Sequence, residues 1–286
     1  MKRKNILVAL LFSLVGLSAF GEPYMVEVGQ FEKLKVNGNF RVVYKNMSDS
    51  TGLARFDAPE DSEDIYKFIT KGDGSLKIEP SDDKWGQKGL PVVYVYSDFL
   101  SSIESYSDQT VDVLNLAPCA SFNASLVGNG TINVDNIKCN NVTASITTGN
   151  GTIYLAGKCI NANYRMVGAG LISADQLSAE NIKCRILGTG SIGCWPIDNL
   201  NVTGLGSTKI YYKGRPNIKK TGGGKLFELP DDFDEETLAK TSVRIESIAT
   251  PVGIDEDDDD DDEEEESHGE YNEEDDDYQT VVTSDD

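Results

Sequence analysis

The chain has 286 residues, a formal net charge of −22 and a pI near 4.4, with five cysteines and one histidine. That histidine, His268, lies in an acidic terminal segment, which excludes histidine acid–base chemistry and histidine metal ligation from the rest of the chain. The charge balance also argues against nucleic acid as a partner, because no basic footprint is evident.

In chain order, Lys2-Arg3-Lys4 precedes an apolar run from Ile6 to Phe20, and Ala19-Phe20-Gly21 places small residues at the cleavage positions. The pattern predicts a signal peptide over residues 1–21, cleaved after Gly21. That run is shorter than the roughly 18 residues of a membrane span, no second one follows it, and no cysteine follows the cleavage site as a lipid anchor. The expected location is therefore exported: periplasm, outer surface or extracellular.

Residues 22–106 read as β structure without a repeat. Phe31 to Val36 and Phe40 to Tyr44 flank the turn signal Asn37-Gly38-Asn39, and Val92 to Tyr96 forms another strand-like run. Glu60 to Phe68 is the one stretch that reads as a short helix, with Ile65, Tyr66, Phe68 and Ile69 as its apolar side. This region is expected to supply the entry layers and the cap of a stacked repeat, because the open end of such a stack must be covered.

Between residues 107 and 230 a glycine signature returns: Gly128-Asn129-Gly130, Gly149-Asn150-Gly151, Gly168-Ala169-Gly170, Gly188-Thr189-Gly190, Gly204-Leu205-Gly206 and Gly222-Gly223-Gly224. The steps are 21, 19, 20, 16 and 18 residues, and Ser105 to Gln109 reads as a degenerate earlier copy. Runs such as Thr152-Ile153-Tyr154-Leu155 come after the glycines. A period near twenty is too short for helical-pair repeats and fits one turn of a β-solenoid, with glycine at the corners. The copies lack the context of a phosphate-binding loop. The expected fold is all-β, a right-handed parallel β-solenoid (β-helix-like stack) with an N-terminal β cap. Cys119, Cys139 and Cys159 should share one row, as should Val127, Ile146, Val167 and Leu187.

Residues 231–286 read as an acidic, largely disordered tail. From Phe227 to Asp286 there are 27 acidic residues against Lys240 and Arg244, about −25, so the preceding part is close to neutral. The tail lacks the spacing and glycine turn of an EF-hand, so no metal site is expected there.

The Phe31-Glu32-Lys33-Leu34-Lys35-Val36-Asn37-Gly38 opening resembles the head GIN domain family. So do the repeated Gly-x-Gly followed by Ile, and Tyr212-Lys213-Gly214-Arg215-Pro216 before Thr221-Gly222-Gly223-Gly224. The resemblance runs from about Val28 to Leu226. It implies a solenoid-like all-β fold and an envelope location in Bacteroidetes-type bacteria, as for proteins named auto-transporter adhesins, and it implies no established activity. Many members carry Ser-Gly-Ser-Gly at the corners, where this chain has Val, Thr, Asn, Ala and Leu.

No catalytic, cofactor-binding or metal residues are assigned. Asp135 and Asp175 each fall seven residues after a corner glycine and would share a row two turns apart, the one arrangement that points to a carbohydrate-active enzyme. The competing reading makes both of them exposed turn residues. Among the cysteines Cys119, Cys139, Cys159, Cys184 and Cys194, a buried thiol ladder is preferred over a disulfide, and a zinc site is disfavoured. The favoured reading is a non-enzymatic adhesin or envelope interaction module that takes a surface glycan or protein partner. Tyr154, Tyr164, Trp195, Tyr211 and Tyr212 are its candidate contacts, with core cover as their alternative role. An envelope structural protein without a small ligand is the third reading.

Overall fold

A computed structural model describes residues 22–59, 64–230 and 250–251. The leader predicted at residues 1–21, His268 and the acidic runs lie outside the described residues. Nine strands precede the regular repeat: β1 (Glu22–Glu27), β2 (Lys33–Asn37), β3 (Val42–Lys45), β4 (Leu53–Ala58), β5 (Tyr66–Thr70), β6 (Ser75–Pro80), β7 (Val93–Tyr96), β8 (Ser102–Tyr106) and β9 (Thr110–Leu114). Then come β10 (Cys119–Val127), β11 (Thr131–Thr147), β12 (Thr152–Gly168), β13 (Leu171–Gly188), β14 (Ser191–Leu205), β15 (Lys209–Tyr212), β16 (Asn217–Gly222), β17 (Lys225–Glu228) and β18 (Thr250–Pro251). The molecule is a β-solenoid of about six turns.

One inward row defines the stack. Val93, Val42, Val111, Ile132, Ile153, Ile172, Ile192, Ile210 and Leu226 are successive parallel partners and are all buried. β-Branched side chains suit this position because each packs on its equivalent one rung away, and each such burial contributes about 1.5–3 kcal/mol. A second row runs Leu76, Leu34, Ile103, Ala124, Ala144, Tyr164, Cys184 and Val202. Two alanines there leave room into which Tyr164 fits without exposure.

Parallel stacking starts before the glycine repeat. β2 pairs in parallel with both β6 and β8, and β3 with both β7 and β9. The Asn37-Gly38-Asn39 turn is thus a solenoid corner between two sides of one rung. That rung is inserted between the β6/β7 rung and the β8/β9 rung, out of sequence order.

The end of the stack is closed by antiparallel strands, β1 on β4, β4 on β7 and β5 on β6. The helix expected over Glu60 to Phe68 is corrected in its described part, because Tyr66, Lys67 and Phe68 belong to β5. Pairing of Tyr66 to Thr70 with Leu76 to Pro80 overrides the helical spacing. It delivers Tyr66 and Phe68 into an aromatic cluster, with ring centroids 4.7 Å from Phe40 to Tyr66, 5.2 Å from Phe56 to Tyr66 and 6.3 Å from Phe56 to Phe68. At the other end β17 pairs in parallel with β15, and β18 adds to it antiparallel.

The glycine corners stack on one another. Gly149 has φ +82°, and a Cβ there would stand 2.3 Å from the Gly128 carbonyl oxygen. The 21-residue step holds its extra residue at Thr148, which itself takes φ +66°. Ser107-Asp108-Gln109 occupies the preceding corner, since a Cβ on Gly130 would meet the Ser107 carbonyl oxygen at 2.0 Å.

One copy is out of register with the sequence pattern. Gly204 is buried opposite Ile186, and the true corner is Gly206-Ser207-Thr208, with Gly206 over Gly188. Measured to Gly206, the step from Gly188 is 18 residues, and the shorter spacing of 16 falls one turn later, where Lys209 pairs with Lys225. The row expected from Val127, Ile146, Val167 and Leu187 is likewise mixed. Ile146 belongs to the inward row Leu126, Ile146, Met166 and Ile186, whereas Val127, Thr147, Val167, Leu187 and Leu205 form an outward one.

Candidate interaction face

The long strands β10 to β14 and the short β16 share a side whose outward positions form four rows. The first runs Ser121, Asn141, Asn161, Asn181, Asn199 and Asn217. The amides from Asn141 to Asn199 are linked in series: Asn161 Nδ2 donates to Asn141 Oδ1 at 3.1 Å, Asn181 Nδ2 to Asn161 Oδ1 at 3.3 Å, and Asn199 Nδ2 to Asn181 Oδ1 at 2.8 Å. Asn141 Nδ2 continues the chain to Ser121 Oγ at 3.4 Å. Amides one rung apart match donor to acceptor, and the linked ladder rigidifies that edge. The row was readable in the sequence as Asn every 20, 20, 18 and 18 residues, and glycine periodicity hid it.

The second row is Asn123, Thr143, Asn163, Lys183, Asn201 and Lys219, and the third is Ser125, Ser145, Arg165, Arg185, Thr203 and Thr221. The fourth is the outward apolar row at the glycine corner, where Val167, Leu187 and Leu205 are about half exposed. None of the four rows contains an Asp or Glu. Glu180 and Asp198 sit one position before the asparagine row, at its corner.

Of the aromatic contacts expected from sequence, Tyr154 is exposed and Trp195 half-buried, while Tyr164, Tyr211 and Tyr212 are buried. Tyr164 and Tyr212 point inward, and Tyr211 stacks on Phe227 with centroids 5.1 Å apart. Tyr164 Oη is fully buried with no hydrogen-bond partner among the described residues, and burial pushes its pKa far above the ordinary phenol range. Removing an unsatisfied buried hydroxyl favours the fold, so Tyr164→Phe is expected to raise stability by about 1 kcal/mol. Denaturant unfolding checks this, and a stability loss would reveal a hydroxyl that is in fact paired.

The two aspartates sit in different surroundings. Asp135 is exposed, whereas Asp175 is buried, with Oδ1 accepting a 2.8 Å hydrogen bond from Ser173 Oγ and Oδ2 unpaired among the described residues. A register shift between Ala174 and Ser178 lets the chain bulge there and tucks the carboxyl over Gly193, so the two are not a pair of exposed turn residues.

Burial pushes the Asp175 pKa up from its ordinary value, against the opposing pull of the Ser173 hydrogen bond and the Lys213 charge. A carboxyl whose folded pKa lies above its unfolded one favours the protonated fold. Its contribution is fully present below the unfolded pKa near 3.8 and is lost as pH rises through the folded value. Asp175→Asn should therefore gain on the parent as pH rises from about 4 to 7, by about 1.4 kcal/mol for each unit of upward displacement. Unfolding curves of both proteins across that range provide the check, and parallel curves would refute it.

The Cys row is settled in part against the thiol-ladder expectation. Cys119 and Cys139 are direct partners on adjacent turns, with Cα atoms 4.7 Å apart, and form a disulfide. Cys159 continues the row as a thiol, and burial pushes its pKa up to about 12. Cys184 and Cys194 are buried thiols.

Among known proteins, the family profile described as "Putative auto-transporter adhesin, head GIN domain" matches residues 30–216. A crystal structure of a "putative adhesin" from Bacteroides fragilis NCTC 9343 is 19% identical with TM-score 0.66, over 73% of this chain and 96% of that one. Another "putative adhesin", from Parabacteroides merdae ATCC 43184, is 21% identical with TM-score 0.56 over the same shares. A "putative lipid binding protein" from Parabacteroides distasonis ATCC 8503 is 19% identical with TM-score 0.55, again over 73% and 96%. No curated protein sequence matches the chain significantly. At these identities the likeness is one of fold, while the profile spans more than half of the sequence, and the chain belongs to the head GIN domain family.

Proposed function

We propose that the protein is an exported, non-enzymatic interaction module of adhesin type that engages an extended partner along the asparagine-rich side of the stack. The observation carrying this reading is the face itself: four outward rows free of carboxylates, one of them joined along its length by an amide ladder. Such a surface holds a partner by repeated hydrogen bonds along its length, and its preset side chains limit the entropy lost on binding. The family's adhesin description and the predicted leader agree with export. Among the described residues no helix is long and apolar enough to cross a membrane.

A glycan array probed with the chain after removal of residues 1–21, with product analysis of the same incubations, tests the reading. Binding without new products is the expected result. Cleavage products would overturn the non-enzymatic assignment, and binding that survives replacement of Asn161, Asn181 and Asn199 by Asp would remove the face from it.

A further inference from the structure

Two sets of cations stand in contrast. Lys33, Lys35, Arg41, Arg55, Lys67, Lys77 and Lys84 each form an ion pair with a carboxylate, and all of these pairs lie between residues 33 and 112. Arg165, Lys183, Arg185 and Lys219 are exposed on the second and third rows of the flat face, and none has an acidic partner among the described residues. Between residues 119 and 228 there are eleven Lys or Arg against five Asp or Glu, a local balance of +6 in a chain of −22.

Placement sharpens the contrast. Arg165 and Arg185 are direct partners on adjacent turns, about 4.8 Å apart along the stack. Lys183 and Lys219 share the neighbouring row two turns apart, about 10 Å. Like charges set opposite one another oppose sheet formation. Ser145 and Thr203 hold equivalent places in the arginine row without that repulsion, so the fold itself does not require the cations.

We propose that this face binds a linear acidic polysaccharide, seating its carboxylate or sulfate groups on Arg165, Arg185, Lys183 and Lys219 and its hydroxyls on the flanking amides and hydroxyls. The inference rests on the adhesin reading and adds the ligand class. The guanidinium fork matches carboxylate and sulfate oxygens two at a time, and the ladder repeats as a polymer does. A single-stranded nucleic acid would call for aromatic platforms, and none of the four rows has an aromatic residue. A lipid surface would call for a broad apolar face, and the apolar row is one residue wide.

The test is equilibrium binding of the chain lacking residues 1–21 to polygalacturonate, dextran sulfate, neutral dextran, polyuridylate and phosphatidylglycerol vesicles. An acidic polysaccharide should bind and weaken as salt rises, with dextran at least tenfold weaker. Arg165→Ser combined with Arg185→Ser should lose at least tenfold while melting as the parent does, since Ser and Thr already occupy that row. Ser145→Arg, which extends the row, should tighten binding several-fold.

Unchanged binding by the folded double variant overturns the assignment. So does polyuridylate or vesicle binding as tight as that of the acidic polysaccharides, or no acidic polysaccharide binding at all. Dextran bound as well as its sulfate would overturn this inference while leaving the wider adhesin reading standing.

Discussion

Gly149→Ala is expected to lower stability by about 3–4 kcal/mol and the melting temperature by roughly 6–15 °C. Two effects combine. An alanine at φ +82° carries the left-handed penalty, and its methyl would lie 2.3 Å from the carbonyl oxygen of Gly128 and 2.6 Å from that residue's carbonyl carbon. Both obstacles are backbone atoms of the next rung, fixed by their own stacking, so relief demands that two turns separate locally. Gly72→Ala is the matched control: nothing lies within 4 Å of its Cβ position. It should shift stability by less than about 0.5 kcal/mol. Thermal unfolding of the two variants side by side decides the matter, and equal melting temperatures would refute the stacked-corner account.

Loss of the Cys119–Cys139 disulfide is the second large effect. The bridge closes a loop of 20 residues, and chain-entropy reasoning assigns about 3 kcal/mol to such a closure, or roughly 6–12 °C of melting temperature. Cys119→Ala combined with Cys139→Ala should show it without leaving a polar group in the interior. The bond should also stay where it is. Cys159 is the next residue in the row, but its thiol is held protonated by burial, with its pKa near 12, and a protonated thiol does not attack a neighbouring disulfide. Peptide mapping of the unreduced protein should therefore find Cys119 linked to Cys139. A Cys139–Cys159 linkage would contradict the assignment.

Fold class and period were legible because glycine corners and β-branched runs are local signals repeated many times. Errors arose where one residue type serves two purposes. Gly204 has the composition of a corner but fills an inward position, where a Cβ would lie 2.4 Å from the Gly223 carbonyl oxygen. Tyr66 and Phe68 satisfy a helical spacing over a few residues, and only the distant partner β6 makes them a strand. A one-residue slip between Val127 and Ile146 mixed inward with outward positions, since side chains alternate along a strand. The cationic face was hidden for a different reason. Net charge sums over the acidic terminal segment and over the paired lysines and arginines of the first rungs, and only the register separates unpaired cations from the rest.

The insertion of the β2/β3 rung between two later ones bears on how the molecule comes to be built. A solenoid whose turns stack in sequence order can grow one rung at a time as the chain is made. This one cannot: the segment from Lys33 to Lys45 acquires one neighbour only when residues 75–96 are present, and the other only when residues 102–114 are. One open edge therefore waits through about fifty further residues of synthesis and the other through about seventy. Closing the first rungs therefore takes a non-local nucleus made from about the first two-fifths of the chain, on which the later turns can add in order.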